Sequence, residues 1–191
     1  TPATMKAYVQ EITDQIDSGS VKAKDMAEKF NDVPQFKRPT WTIASLVRQG
    51  RIYEVLARAV LNTPFVIPRD MQRQLRRVSP MDRDMIKLQI QDKVQQVLDK
   101  KVRPIECLAV ARYALAARAA RVGSIDNEHT RSAIDRLQAY GDERIAECIE
   151  QARADDPSFQ AYRPGEFSRA PRGQNREPEP GVGPPSLATG N

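Results

Sequence analysis

Apolar residues recur at spacings of three and four along most of the chain, the period of helices that bury one face. Met5, Val9, Ile12 and Ile16 predict a first helix over 4–18, closing at Ser18-Gly19. A short second helix is expected in SVKAKDMAEKF (20–30), with Met26, Ala27 and Phe30 as its apolar face. Pro34 and Pro39 cannot continue it, because proline lacks an amide donor and constrains the residue before it, so a loop follows. Thr40 is placed to cap a third helix, TWTIASLVRQG, with Ile43, Leu46 and Val47 inward and Gly50 as its terminator. Beyond it, the β-branched and aromatic residues of 52–55 allow a short strand, although Tyr53–Leu61 suits a helical turn equally well.

Pro64 and Pro68 bracket Phe65-Val66-Ile67, an extended link or short strand, and 69–78 reads as a short basic helix. From Ser79 and Pro80 a long helix is expected to about Arg103, with Ile86, Ile90, Val94, Val97 and Leu98 in one stripe. Pro104 is expected to start an alanine-rich helix ending at Gly123, in which Ala109, Ala116 and Ala119 permit close approach. Two more helices follow over 126–140 and 142–154, separated by Gly141. From Pro157 the chain is rich in Pro, Gly, Arg and Glu without periodicity, and most of 163–191 is expected to be disordered.

The fold class is therefore mainly α. The expected organisation is an N-terminal lobe (1–62), a basic linker and short helix (63–79), a helical bundle suited to oligomerisation (80–156) and a flexible tail (157–191). No apolar run reaches the ~20 residues of a membrane span, and no signal-like segment opens the chain, so a soluble, cytoplasmic protein is expected. Cys107 and Cys148, far apart and each on an amphipathic helix, read as buried thiols of a reducing compartment.

The net charge of +5 is unevenly placed. Residues 37–77 hold nine Lys and Arg against two acids, whereas 123–170 hold six against ten. Such segregation suggests a polyanionic partner, or else a solvated basic face.

Catalytic chemistry finds little to work with. His129 stands alone, without a second histidine or cysteine nearby to complete a zinc set, and reads as a surface residue. Neither GxxxxGK[ST] nor GxGxxG occurs, so a nucleotide-phosphate cradle has no support. Asp82/Asp84, Asp142/Glu143 and Asp155/Asp156 fall at helix starts or the tail junction, where carboxylates favour the amide end of the helix dipole. The expectation is a non-enzyme without cofactor or metal.

The order of parts in 5–56, with its opening helix, small polar break, AKDMAEKF helix, loop, TWTIASLVRQG helix and RIYEV, resembles the helix-turn-helix of winged-helix DNA-binding proteins. The resemblance implies a third helix facing the major groove of double-stranded DNA. It selects Lys37, Arg38, Thr40, Trp41, Thr42, Ser45, Arg48 and Gln49 as contacts, with the threonines donating to phosphate and Gln49 reading a base. Arg51 and the cluster Arg69, Arg73, Arg76 and Arg77 would add backbone contacts. In the bland alternative the unit is a packing module and Trp41 is core.

A DNA-binding unit, helices suited to self-association and a flexible tail also resemble, in architecture, viral small terminase subunits. That layout implies a regulatory or viral DNA-handling role, in the host cytoplasm or a virion, with self-association through 80–122 and a protein partner on the C-terminal tail. The competing reading is a structural or adaptor protein of a virion or assembly complex, in which the apolar link ARAVLNTPFVIP is an interface patch.

Overall fold

The computed structural model describes residues 2–64, 66–154, 159, 160, 162, 163 and 165–167. Among these the chain is helical, with no strand: α1 (Pro2–Glu28), a 3-10 turn (Val33–Phe36), α2 (Pro39–Leu61), α3 (Arg69–Leu75), α4 (Pro80–Val122), α5 (Glu128–Tyr140) and α6 (Asp142–Arg153).

Several expected breaks are absent. Ser18-Gly19 lies inside α1, so the first two expected helices are one. The Ser20 hydroxyl donates to the Ile16 carbonyl at 2.9 Å, within the helix. Gly19 faces α2, where an added Cβ would lie 3.1 Å from Leu56 Cδ1. Gly50 likewise terminates nothing and sits inside α2, under the Tyr113 ring of α4.

The strand expected over 52–55 is helical because Tyr53 and Ala57 are buried, with Ile52, Leu56 and Val60 packed at the same helical spacing. The winged-helix wing therefore does not form in 52–55, and two helices joined by a 3-10 turn stand in place of the expected three. Val66 and Ile67 have no regular structure, and Phe65 lies outside the described residues.

Pro104 is interior to α4, which runs through 43 residues. Val102 and Ile105, buried on either side of it, hold the helix in register. Other boundaries agree with the sequence. The Ser79 side chain accepts from the Asp82 amide at the start of α4, and Asn127 caps α5 by accepting from the Thr130 amide at 2.9 Å.

Tyr8, Ile12, Leu56, Val60, Val94 and Leu98 converge between α1, α2 and α4. The Asp17–Lys101 ion pair at 2.8 Å ties α1 to α4 in a parallel sense, with α2 antiparallel to both. α2 packs most extensively on α4, and one continuous core joins Ile16 and Ile43 to Leu137, Ile149 and Phe159.

The α5–α6 hairpin covers the C-terminal half of α4. Arg144 donates to Glu106 of α4 at 2.5 Å and to Glu147 at 2.9 Å. Cys107 and Cys148 are not thiols: they form a disulfide between α4 and α6, with their Cα atoms 4.6 Å apart. Each cysteine lies on the apolar face of its helix, and because both faces enter one core the two side chains meet. The expectation of a reducing compartment thereby loses its footing.

The segment after α6 also differs from a tail that begins at 157. Phe159, Tyr162 and Phe167 are buried, and their aromatic area draws an otherwise polar stretch onto the core. Arg121 holds it by pairing with Glu166 at 2.7 Å and by lying 5.5 Å above the Phe167 ring. The remaining expected tail, 168–191, lies outside the described residues. No helix of the described residues is long and apolar enough to cross a membrane.

Candidate nucleic-acid interface

The start of α2 carries the densest set of sequence-selected residues. The chain enters it through the 3-10 turn, whose last amide, on Lys37, donates to the Pro34 carbonyl at 3.0 Å. Lys37 itself adopts φ 51, ψ 33, a left-handed conformation that costs an L-residue about 1 kcal/mol. Pro39 then occupies the first turn of α2, where a missing amide hydrogen costs nothing. Arg38, not Thr40, is the residue at the cap.

Phe36 and Trp41 meet across this junction edge to face, with ring centroids 6.0 Å apart. Both remain open to solvent, at 57 % and 55 % exposure. Trp41 is thus not core. Spacings of seven, three and four then place Arg48, Arg51 and Val55 on the same exposed side of α2 as Trp41. Lys37, Arg38, Arg48 and Arg51 are exposed and form no ion pair with a described residue, whereas Arg58 further along pairs with Glu54. From Asn31 to Arg51 the only acid is Asp32.

Two sequence-selected residues are withdrawn from this surface. Ser45 is 4 % exposed and its hydroxyl donates to the Thr42 carbonyl at 2.8 Å. Gln49 is 3 % exposed and donates to Asn31 at 3.3 Å, while its Oε1 has no partner among the described residues. Both sit on the inward face with Ile43 and Val47, so neither reaches a ligand. Thr40 is exposed; Thr42 is half-buried, its hydroxyl 3.4 Å from the Arg38 carbonyl.

Arg69, Arg73, Arg76 and Arg77 are exposed but belong to a different place. α2 rises about 30 Å from Trp41 to Leu61, and α3 lies beyond that far end. There Met71 and Leu75 pack near Met5 of α1 and Ile86 and Ile90 of α4. The basic stretch 37–77 is therefore split between the two ends of α2.

Sequence reasoning missed Phe36, whose only signal is an aromatic residue isolated between prolines. It also missed a buried ionic network under α2. Glu54, only 4 % exposed, accepts from the Tyr113 hydroxyl at 2.7 Å, from Arg58 at 2.5 Å and from Arg136 of α5 at 3.1 Å. Burial, then the Glu54 hydrogen bond, drives the Tyr113 phenol well above its ordinary value. Burial, with the charge of Glu54, pushes Tyr140 up to about 12. A carboxylate held by two guanidiniums and a phenol has its acceptor sites occupied, which suits a structural clamp between α2, α4 and α5.

No group of three His, Cys, Asp or Glu able to hold a metal occurs among the described residues. His129 lies 3.6 Å from the Glu128 carboxylate. The cleft between α1, α2 and α4, about 240 Å³, is lined mainly by aliphatic side chains. Comparison with known proteins yields no relative: no family model, no curated protein and no solved structure matches this chain.

Proposed function

We propose that this chain is a non-enzymatic DNA-binding protein whose contact surface is the start of α2 and the turn before it. The observation that carries the reading is the set of four exposed cations that pair with no acid among the described residues, Lys37, Arg38, Arg48 and Arg51, beside an exposed aromatic pair. Cations that are not neutralised within the fold attract phosphate and release its condensed counterions, so affinity should fall steeply with salt. Thr40 adds a hydroxyl donor at the same helix end. The role we attach to it, regulatory or viral DNA handling, rests on the order of parts along the chain alone.

Band-shift titrations on duplex and single-stranded DNA at low and high salt test the reading. Binding at low salt that weakens about 20–150-fold over a fourfold rise in salt is expected for three or four neutralised phosphates. Absence of binding to either form at low salt removes it.

Exposed apolar residues favour a second reading, a structural or adaptor protein that self-associates through α4. Met81, Met85 and Leu88 stand out on its N-terminal half, with Leu61 and Val66 exposed in the preceding link. The triple variant Arg38→Ala/Arg48→Ala/Arg51→Ala separates the two. A DNA binder loses affinity and keeps its oligomeric state, whereas an adaptor changes its assembly.

A further inference from the structure

We infer that the Phe36–Trp41 pair is a stacking platform for unpaired bases, so that the preferred partner is single-stranded DNA rather than an intact duplex. The inference rests on the DNA-binding reading above and adds the form of the ligand.

Groove reading by α2 loses two of its selected side chains and keeps only arginine and Thr40 as readers. Ser45 and Gln49, which would face base edges if the inward side of α2 entered a groove, are buried in the core. Beside the turn, α2 presents outward Thr40, Trp41, Arg48, Arg51 and Val55. This set has guanidiniums for phosphate and a large flat ring, but no carboxamide to pair with an adenine edge.

The aromatic pair has the features stacking requires. In the T-shaped contact, at 67° between planes, each ring covers only a small part of the other. More than half of each side chain is left to solvent. Every base has a π-face, so such a platform accepts any base that is out of its duplex stack. Lys37 follows Phe36 directly, and Arg48 lies two turns from Trp41, about 10 Å along the helix. Cations therefore flank the rings on both sides and match the phosphates of a strand passing over them. An uncharged apolar partner leaves these cations unused, which is why a polyanion with flat bases is the occupant argued for.

Trp41 is the only tryptophan in the chain, so its emission reports on this site alone. The full chain is titrated with an oligothymidylate of about 15 nucleotides, with an abasic strand of equal length, and with a duplex. Oligothymidylate is expected to quench Trp41 and to bind at least about tenfold more tightly than the abasic strand. The duplex is expected to bind more weakly than oligothymidylate, with little quenching.

Trp41→Ala, followed by anisotropy of a labelled strand, should lower oligothymidylate affinity about tenfold and leave abasic affinity unchanged. Trp41→Phe should keep most of it. Because Trp41 is exposed, both variants should melt close to the parent chain, and melting curves check this. Equal affinity for abasic and oligothymidylate strands, or a Trp41→Ala loss shared by both, overturns the stacking platform. Tight duplex binding without single-strand binding overturns it while sparing the DNA-binding reading; no binding to any strand removes both.

Discussion

Gly50 of α2 and the Tyr113 ring of α4 are so close that a Cβ at Gly50 would lie 2.8 Å from Tyr113 Cε1. The ring cannot swing aside freely, because its hydroxyl is bonded to Glu54 at 2.7 Å. Gly50→Ala should therefore destabilise the chain although alanine is the better helix former. Overpacking costs about 1–3 kcal/mol and helix propensity returns about 1 kcal/mol, leaving a melting temperature lower by a few degrees. In a Tyr113→Leu background the same change should be neutral or stabilising, and thermal melts of the four proteins give the coupling.

Tyr113 and Tyr140 predict a loss of stability in alkali. Both phenols are held above their ordinary value of 10.0 in the folded chain, Tyr140 at about 12. Above pH 10 the unfolded chain gives up these protons while the folded chain keeps them, so the unfolded state binds fewer protons and stability falls as pH rises. The contribution is intact below pH 10 and declines through pH 12. Denaturant melts of the parent against Tyr113→Phe/Tyr140→Phe test this: the double variant, less stable at neutral pH, should show a flatter decline above pH 10. An equal slope in both would leave the phenols without this role.

The Cys107–Cys148 disulfide spans 41 residues of sequence. Closing a loop of that length limits the unfolded chain and is worth on the order of 4 kcal/mol by chain entropy. Reductant, or Cys107→Ser/Cys148→Ser, should lower the melting temperature by about 10 °C, with the α5–α6 hairpin the region most affected. Thiol titration of the unreduced, denatured chain should find no free thiol. Two thiols there would contradict the pairing.

Gln49 is a base reader by sequence and a core residue by position. Gln49→Met removes the unpartnered Oε1 and leaves Asn31, which is exposed, to water. The variant should be stable to within about 1 kcal/mol of the parent, with DNA affinity unchanged. A marked loss of affinity without loss of stability would return Gln49 to the interface.

Helix content was legible because its signals are local. Ser79 with Pro80 and the spacing of Ile43 with Val47 each act within a turn or two of chain. Gly19 and Gly50 misled for a shared reason: a glycine that ends a helix and one that admits a neighbouring helix look alike until the neighbour, here Leu56 or Tyr113, is known. Lys37, Arg38 and Arg48 were legible as exposed cations. Ser45 and Gln49 were not legible as core, since their polarity suggested a surface, and the separation of Arg69–Arg77 from Arg48 depends on the path of α2. The disulfide required the register of α6 on α4, which sequence spacing does not contain.

Pro104 divides a helix of about 64 Å into unequal partners. On its C-terminal side α4 is clasped by α2, α5 and α6; on its N-terminal side it shows Met81, Met85 and Leu88 to solvent. The missing amide at Pro104 takes away the donor that would serve the Lys100 carbonyl. The weakened rung is braced by α1 and α2 at Val94, Leu98 and Lys101, so the forward arm is least supported toward its start. Amide exchange should be slow after residue 105 and faster before residue 90, where the outward methionines leave the turns of the helix open to water.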